Sequence, residues 1–214
     1  MDEEITRLFE FFKTVEKLKT ELRHSWTSDA SRRESVAEHT WMLSLMTMLL
    51  SNKPGVKIDQ LKAIKMAITH DLVETIARDV PSHEISDRQD KKRENEQKAI
   101  ETLKESLGGD LGQEILSLWT EFEGRQTNEA KFVHALDKFE CLFEHNLADI
   151  STWDEGDYRY TFVEVQDTPF DFDSFMRRLK DRLDEWTNDK LTKAGTLSKV
   201  PEENLTRYTK RDRN

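Results

Sequence analysis

The chain has 214 residues, 36% of them charged, and its 33 Lys and Arg against 43 Asp and Glu leave a formal net charge of −10. That length suits one domain with a sizeable core, while the acidic balance is a poor match to a nucleic-acid polymer and leaves a small anionic substrate dependent on a local basic cluster or a metal ion. The single cysteine, Cys141, excludes an intramolecular disulfide, and neither the acidic Met-Asp-Glu-Glu start nor the 13 uncharged residues from Thr40 to Asn52 read as a signal peptide or a membrane span, so a cytoplasmic protein without membrane contact is expected.

Ile5, Leu8, Phe9, Phe12, Val15, Leu18 and Leu22 recur at helical spacing and predict a first helix with one apolar face, ending in Arg23-His24-Ser25-Trp26. A polar loop, 27 to 34, carries Arg32 and Arg33. Ser35 followed by Glu38 is a capping-box pattern that starts a second helix through Trp41, Leu45, Met46 and Leu49. His39 shares a stripe of that helix with Met42, Leu43 and Met46, where a histidine is either a packed core residue or a ligand.

Pro54-Gly55 breaks the second helix and Asp59 can cap a third, in which Leu61, Ile64, Ile68 and Leu72 form a stripe flanked by Ala63, Met66 and Ala67. His70 and Asp71 then fall on or beside a core-facing stripe. A carboxylate there is costly unless it is paired or ligates a metal. Glu74, four residues past His70 and three past Asp71, shares their patch. Pro81 closes this stretch after Asp79. The charged run from Arg88 to Leu107, with Ile100, Leu103 and Leu107 as a narrow stripe, reads as a solvated surface helix or a mobile excursion over the site.

Beyond Gly108-Gly109, a helix with Leu111, Ile115, Leu118, Trp119 and Phe122 is stopped by Gly124. Thr127 can cap the next, in which Ala130, Val133, Asp137 and Cys141 recur at three- and four-residue steps. Asp137 is thus a second acid on an inward face. Phe170, Phe175, Met176, Leu179, Leu183 and Trp186 predict a last amphipathic helix, and the polar stretch beyond Asn188 is expected to fray, giving a domain of 1–187 and a tail of 188–214. No segment shows sustained period-two alternation, so the fold class is all-α.

His39, His70, Asp71 and Asp137 therefore supply two imidazoles and two carboxylates from separate helical patterns. Mixed nitrogen and oxygen donors suit manganese, cobalt, iron, nickel or zinc, and the absence of thiolate ligands argues against a structural zinc knot. Such an ion acidifies water and neutralises phosphoryl charge.

The same residues, with Glu-Ser-Val-Ala-Glu-His at 34–39, His-Asp-Leu-Val-Glu at 70–74, Asp79-Val80-Pro81 and Glu-Ala-Lys-Phe-Val-His-Ala-Leu-Asp at 129–137, resemble the HD-domain metal-dependent phosphohydrolases, in the branch of bacterial 5′-deoxynucleotidases and their eukaryotic relatives. The resemblance covers roughly Leu8 to Asp149. It implies a helical domain, a homodimer, and removal of phosphate from deoxyribonucleoside 5′-monophosphates with a divalent cation. His39, His70, Asp71 and Asp137 match the family's ligands. Glu74 matches the residue that orients or deprotonates the attacking water, and Asp79 one that contacts the sugar or assists the leaving group. Arg23 and Trp26 resemble residues that shape the nucleotide pocket. Arg32 or Arg33 is either a further phosphate contact or a solvated loop charge. His83 and His134 fall where relatives that hold two metals carry extra histidines. Hydrolysis of another nucleotide (triphosphate, cyclic or alarmone) and non-catalytic nucleotide binding are the alternative readings.

Overall fold

Local capping chemistry sets the helices that carry the candidate site. The computed structural model describes residues 3–81, 84 and 86–211. In chain order it contains α1 (Glu3–Val15), a 3-10 turn (Glu16–Lys19), β1 (Leu22–Trp26), β2 (Arg33–Ser35), α2 (Val36–Leu50), α3 (Gln60–Thr69), α4 (Glu74–Ala77), α5 (Asp87–Asp90), α6 (Lys92–Leu107), α7 (Gly109–Gly124), α8 (Asn128–Leu147), α9 (Glu155–Tyr160), α10 (Glu164–Asp167), α11 (Ser174–Lys193) and α12 (Glu202–Arg211). The all-α expectation holds, apart from one short hairpin.

Ser35 caps α2 as the spacing predicts: its hydroxyl accepts from Glu38 N, while the Glu38 carboxylate accepts from Ser35 N at 2.9 Å. Asp59 caps α3 by accepting from Lys62 N and Thr127 caps α8 by accepting from Ala130 N, without the reciprocal bond. Between α6 and α7 the chain turns through Gly108 at φ 69°, a left-handed conformation that glycine adopts without a Cβ penalty. Gly112, one turn into α7, lies so close to the Lys104 carbonyl oxygen of α6 that a Cβ there would clash with backbone.

The main core lies where α2, α3, α7, α8 and α11 meet, with Leu43, Ala63, Met66, Ala67, Phe122, Phe132, Val133, Leu136 and Met176 buried together. On α3 the inward face is Ala63, Met66, Ala67 and then His70, whereas Leu61 and Ile68 are exposed. Small side chains let α3 approach α2, α7 and α8 closely, so it is the alanine edge of the predicted stripe that turns inward. α1 differs in the same way. Phe11 packs with Leu18, Val36, Leu72 and Leu103, and Ile5, Phe9 and Phe12, expected to face the core, are exposed.

Two further expectations are corrected. The first helix does not reach Leu22: residues 22–26 form β1, antiparallel to β2 with Leu22 opposite Ser35 and Trp26 opposite Arg33. Five residues face three, so the ladder contains an irregularity, and so short and interrupted a strand leaves no period-two signal. Nor does the chain fray between Asn188 and Arg211. α11 runs to Lys193, and Leu191, Val200 and Tyr208 pack with Tyr158 and Phe162, the Phe162 and Tyr208 rings stacking at 4.4 Å. Asp167 gathers Lys180 at 3.0 Å and Arg207 at 3.1 Å, so α12 is pinned by ion pairs that a hydropathy pattern does not register. No helix among the described residues is long and apolar enough to cross a membrane.

Gly112→Ala tests the α6–α7 contact. Because the obstacle is a carbonyl oxygen and not the end of a flexible side chain, the substitution is expected to destabilise by about 1–3 kcal/mol, as overpacking does, read as a lower denaturant midpoint with unchanged m-value.

Candidate metal centre

Three helical segments bring the four predicted ligands together. His39 projects from the second turn of α2, His70 and Asp71 follow directly on the end of α3, and Asp137 lies midway along α8. His70 Nε2 stands 3.1 Å from Asp71 Oδ2, and His39 Nε2 stands 3.2 Å from Asp137 Oδ1 and 3.7 Å from Asp71 Oδ2. Ligand atoms of His39, His70 and Asp71 all fall within 4.8 Å of one another. Both imidazoles are buried, His39 completely.

The tautomers decide what this group can do. His39 Nδ1 is bonded to the buried Glu140 carboxylate, and His70 Nδ1 donates to Ala67 O at 2.8 Å. With the proton held at Nδ1 in each neutral ring, Nε2 carries a lone pair. Although burial and Arg23 oppose it, Glu140 and Asp137 hold the His39 imidazole well above its ordinary value, so a second proton takes that Nε2 wherever a metal cation does not. Among the described residues neither buried Nε2 has a hydrogen-bond partner, His39 and Asp137 being close but not aligned for a hydrogen bond. Two buried lone pairs facing two carboxylates are unfavourable as they stand and fit a divalent cation, with Glu140 and the Ala67 carbonyl as the groups that orient its imidazoles.

Charge around the centre points the same way. Burial by itself would push the Asp137 carboxyl up, but Lys138, 3.4 Å away, and His39 outweigh it and hold it well below the usual carboxylate range. Burial opposes ionisation of Asp71 too, and His70, Arg23 and His39 overcome it. Glu74 behaves oppositely: burial, with Asp71 and Asp79 nearby, raises its carboxyl well above normal.

Asp71 and Asp137 border a cavity whose wall also includes Arg23, Glu74, Asp79, Lys92 and Lys138. Arg23 reaches Asp71 at 3.1 Å. Trp26 and Arg33 are not part of that wall. The Arg33 guanidinium lies over the Trp26 ring, 5.0 Å from its centroid, and donates to His24 Nδ1 at 3.0 Å, so the two occupy each other on the hairpin. The strand irregularity instead turns three consecutive residues, Arg23, His24 and Ser25, toward the cavity. Arg32 pairs with Glu38 in solvent, the solvated-charge reading of that loop.

Asp79 owes its place to a contorted turn. Arg78, just before it, has φ 71° and ψ 150°, a region nearly reserved for glycine. Glu21 ties the turn down, accepting from Arg78 Nη1 at 2.5 Å and from Asp79 N at 3.2 Å. Glu21 and Glu140 support the site, and neither shows in the sequence pattern because each acts through a partner distant in sequence. Glu140, three residues past Asp137 on α8, was open to discovery by the spacing used for the ligands.

A second group, His24, Asp154 and Asp157, also has ligand atoms within 4.8 Å. There Arg33 donates to His24 Nδ1, so the ring proton sits on Nε2 and is given to Asp157 Oδ1 at 3.0 Å; no imidazole lone pair is left for a cation. His134 is buried against Phe122, and burial pushes its imidazole down to about 3, leaving it neutral. It joins none of these groups, and His83 lies outside the described residues.

Comparison with known proteins places the site in context. The model of the HD domain family matches residues 15–174. The 5′-deoxynucleotidase HDDC2 of Dictyostelium discoideum is 37% identical over 146 residues, covering 65% of this chain and 76% of that protein. The 5′-deoxynucleotidase HDDC2 of Xenopus laevis is 33% identical over 139 residues, 64% of this chain and 67% of that one. Among solved structures, a predicted metal-dependent phosphohydrolase from Magnetospirillum magnetotacticum MS-1 is similar with a TM-score of 0.72 and 27% identity, over 93% of this chain and 96% of that chain.

Two outcomes follow from the geometry. Glu140→Ala releases the His39 ring and should weaken divalent-ion affinity about 10–100-fold, with Glu140→Gln milder because it keeps an acceptor; a chelator competition titration measures both. Trp26→Ala should lower thermal stability without altering the ratio of kcat/KM for deoxyribonucleotides over ribonucleotides, since the indole is held by Arg33 away from the cavity wall.

Proposed function

The chain belongs to the HD domain family, and from that premise we propose that it is a 5′-deoxynucleotidase, a metal-dependent phosphohydrolase that converts deoxyribonucleoside 5′-monophosphates and water to deoxyribonucleosides and phosphate. One observation carries the reading. Two imidazoles on separate helices keep their Nε2 lone pairs free toward Asp71 and Asp137, beside a cavity with cations for a phosphate and carboxyl groups for proton transfer.

His39, His70, Asp71 and Asp137 would hold the ion. Bound there, a divalent cation supplies Lewis acidity toward the phosphoryl group and lowers the pKa of water. The two-nitrogen, two-oxygen donor set suits manganese, cobalt, iron, nickel or zinc. Arg23 contributes guanidinium donors to phosphate oxygens. Glu74 orients the attacking water and takes its proton, a role favoured by burial and by Asp71 and Asp79, which raise its carboxyl above the ordinary carboxylate value and make it a stronger base. Asp79, across the same cavity, contacts the sugar or assists the departing 5′-oxygen. The lone cysteine is consistent with a reducing, cytoplasmic setting. The exposed Ile5, Phe9 and Phe12, on one face of α1, support a homodimer.

Two variants separate the roles. Asp137→Ala should lose bound metal and turnover while keeping its helical circular-dichroism signal, because an ion ligand is gone and a helix is not. Glu74→Ala should keep one ion per chain and lose about 10²–10⁴-fold in kcat, the range for a general base. Both are assayed by phosphate release from a panel of nucleoside mono-, di- and triphosphates and by metal analysis. Turnover confined to triphosphates, or an Asp137→Ala enzyme with wild-type metal and rate, would remove the proposal.

A further inference from the structure

Phosphate chemistry does not account for the far end of the substrate cavity. α8 rises about 12 Å over the eight residues from Asp137 to His145, and both border the same space. Around His145 the wall is made by Leu142, Trp153, Thr161 and Gln166, and these five residues also line a smaller adjoining cavity that none of the four candidate ligands touches. They mark the end remote from the metal centre.

Gln166 is the anomaly there. It sits in α10, only 7% exposed, and its backbone N donates to Val163 O at 3.1 Å. Its side-chain amide makes no hydrogen bond among the described residues. Its amide is not among the polar atoms sealed from solvent, so it opens on the cavity it lines and offers two N–H donors and a carbonyl acceptor to whatever fills it. The neighbouring His145 ring packs edge-on against Trp153 and beside His24, and its Nδ1 stands 3.9 Å from Asp157 Oδ1, beyond hydrogen-bonding reach.

The charges along the cavity narrow the ligand class. Near the metal centre Arg23, Lys92 and Lys138 offer three cations to a phosphate, beside Glu74, Asp79 and the two carboxylates, Asp71 and Asp137, that an ion would engage. At the far end no Lys or Arg lines the cavity, and the carboxylate of Asp157 stands beside His24 and His145. An anion fits the first end and is repelled from the second. A neutral, planar group with adjacent donors and acceptors fits the second, between the apolar surfaces of Leu142 and Trp153.

We propose that the far end is a nucleobase subsite, in which the Gln166 amide pairs with a donor–acceptor edge of the base. An amide can present its oxygen and nitrogen in either order, so it accepts the edge of any base and anchors the nucleoside without selecting one. The proposal rests on the deoxynucleotidase reading for its substrate and adds to it the residue that holds the base.

The test uses the full-length, metal-loaded protein and Gln166→Leu, which keeps side-chain volume while deleting both hydrogen-bonding groups, with Gln166→Glu as a second variant that keeps acceptors only. The first readout is the ratio of kcat/KM for dAMP to that for 2-deoxyribose 5-phosphate, which lacks a base. The subsite predicts that this ratio falls about tenfold in Gln166→Leu, the effect of losing hydrogen bonds to a buried group. Equal decline on both substrates, or an unchanged ratio, would overturn it and leave Gln166 a water-bonded structural residue. The second readout needs no turnover: calorimetric titration with deoxyadenosine should show about tenfold weaker binding to Gln166→Leu. Equal affinities overturn the subsite. An enzyme that binds deoxyadenosine through Gln166 yet hydrolyses no deoxynucleotide sustains the subsite and refutes the deoxynucleotidase reading alone.

Discussion

Two imidazoles fixed at Nδ1 are the constraint on which the rest of the site depends. His39 is tied to Glu140 and His70 to the Ala67 carbonyl, so both rings turn a lone pair into a buried space bounded by two carboxylates. Removing these groups from water carries a large desolvation cost, which a divalent ion offsets more effectively than the flanking Lys138 and Arg23 alone. Folding therefore assembles a cation-seeking pocket: α2, the end of α3 and α8 each contribute at least one group, and none of the three could hold an ion by itself.

The supports around the ligands are as specific as the ligands. Arg78 adopts a backbone conformation unfavourable for any residue with a Cβ, by about 1–3 kcal/mol, and Glu21 stabilises it from the segment just before β1. The same segment gives its Glu21 carbonyl to Val36 N at 2.9 Å, at the start of the helix that carries His39. The Asp79 turn, the hairpin bearing Arg23 and the His39 helix are thus joined at one glutamate. The resulting cavity gathers its Lys and Arg side chains, with the carboxyl groups that would hold an ion, at one end and has neither Lys nor Arg at the other, an arrangement that matches phosphate and base at opposite ends of a nucleotide.

Much of this was legible in the sequence. The capping patterns at Ser35, Asp59 and Thr127 located three helix starts, and helical spacing put His39, His70, Asp71 and Asp137 on inward faces. Amphipathic periodicity was less informative about which edge of a stripe turns inward: on α3 close packing favours Ala63 and Ala67 over Leu61 and Ile68, and on α1 the apolar face of Ile5, Phe9 and Phe12 looks outward. The β1–β2 hairpin escaped because an irregular five-residue strand has no alternation to detect, and with it went the positions of Trp26 and Arg33. α12 escaped because its attachment depends on Tyr208 and on arginines reaching Asp167. Glu21 and Gln166 have no local signature, since their meaning comes from partners or the lack of them.

The central claim is that both buried histidines, and not only the carboxylates, bind the cation through Nε2. X-ray absorption on the cobalt-loaded protein measures this directly, because imidazole ligands leave a multiple-scattering pattern distinct from that of oxygen donors. The account predicts a first shell with two imidazoles and the remainder oxygen. A shell of oxygen donors alone, or with a single imidazole, would contradict it.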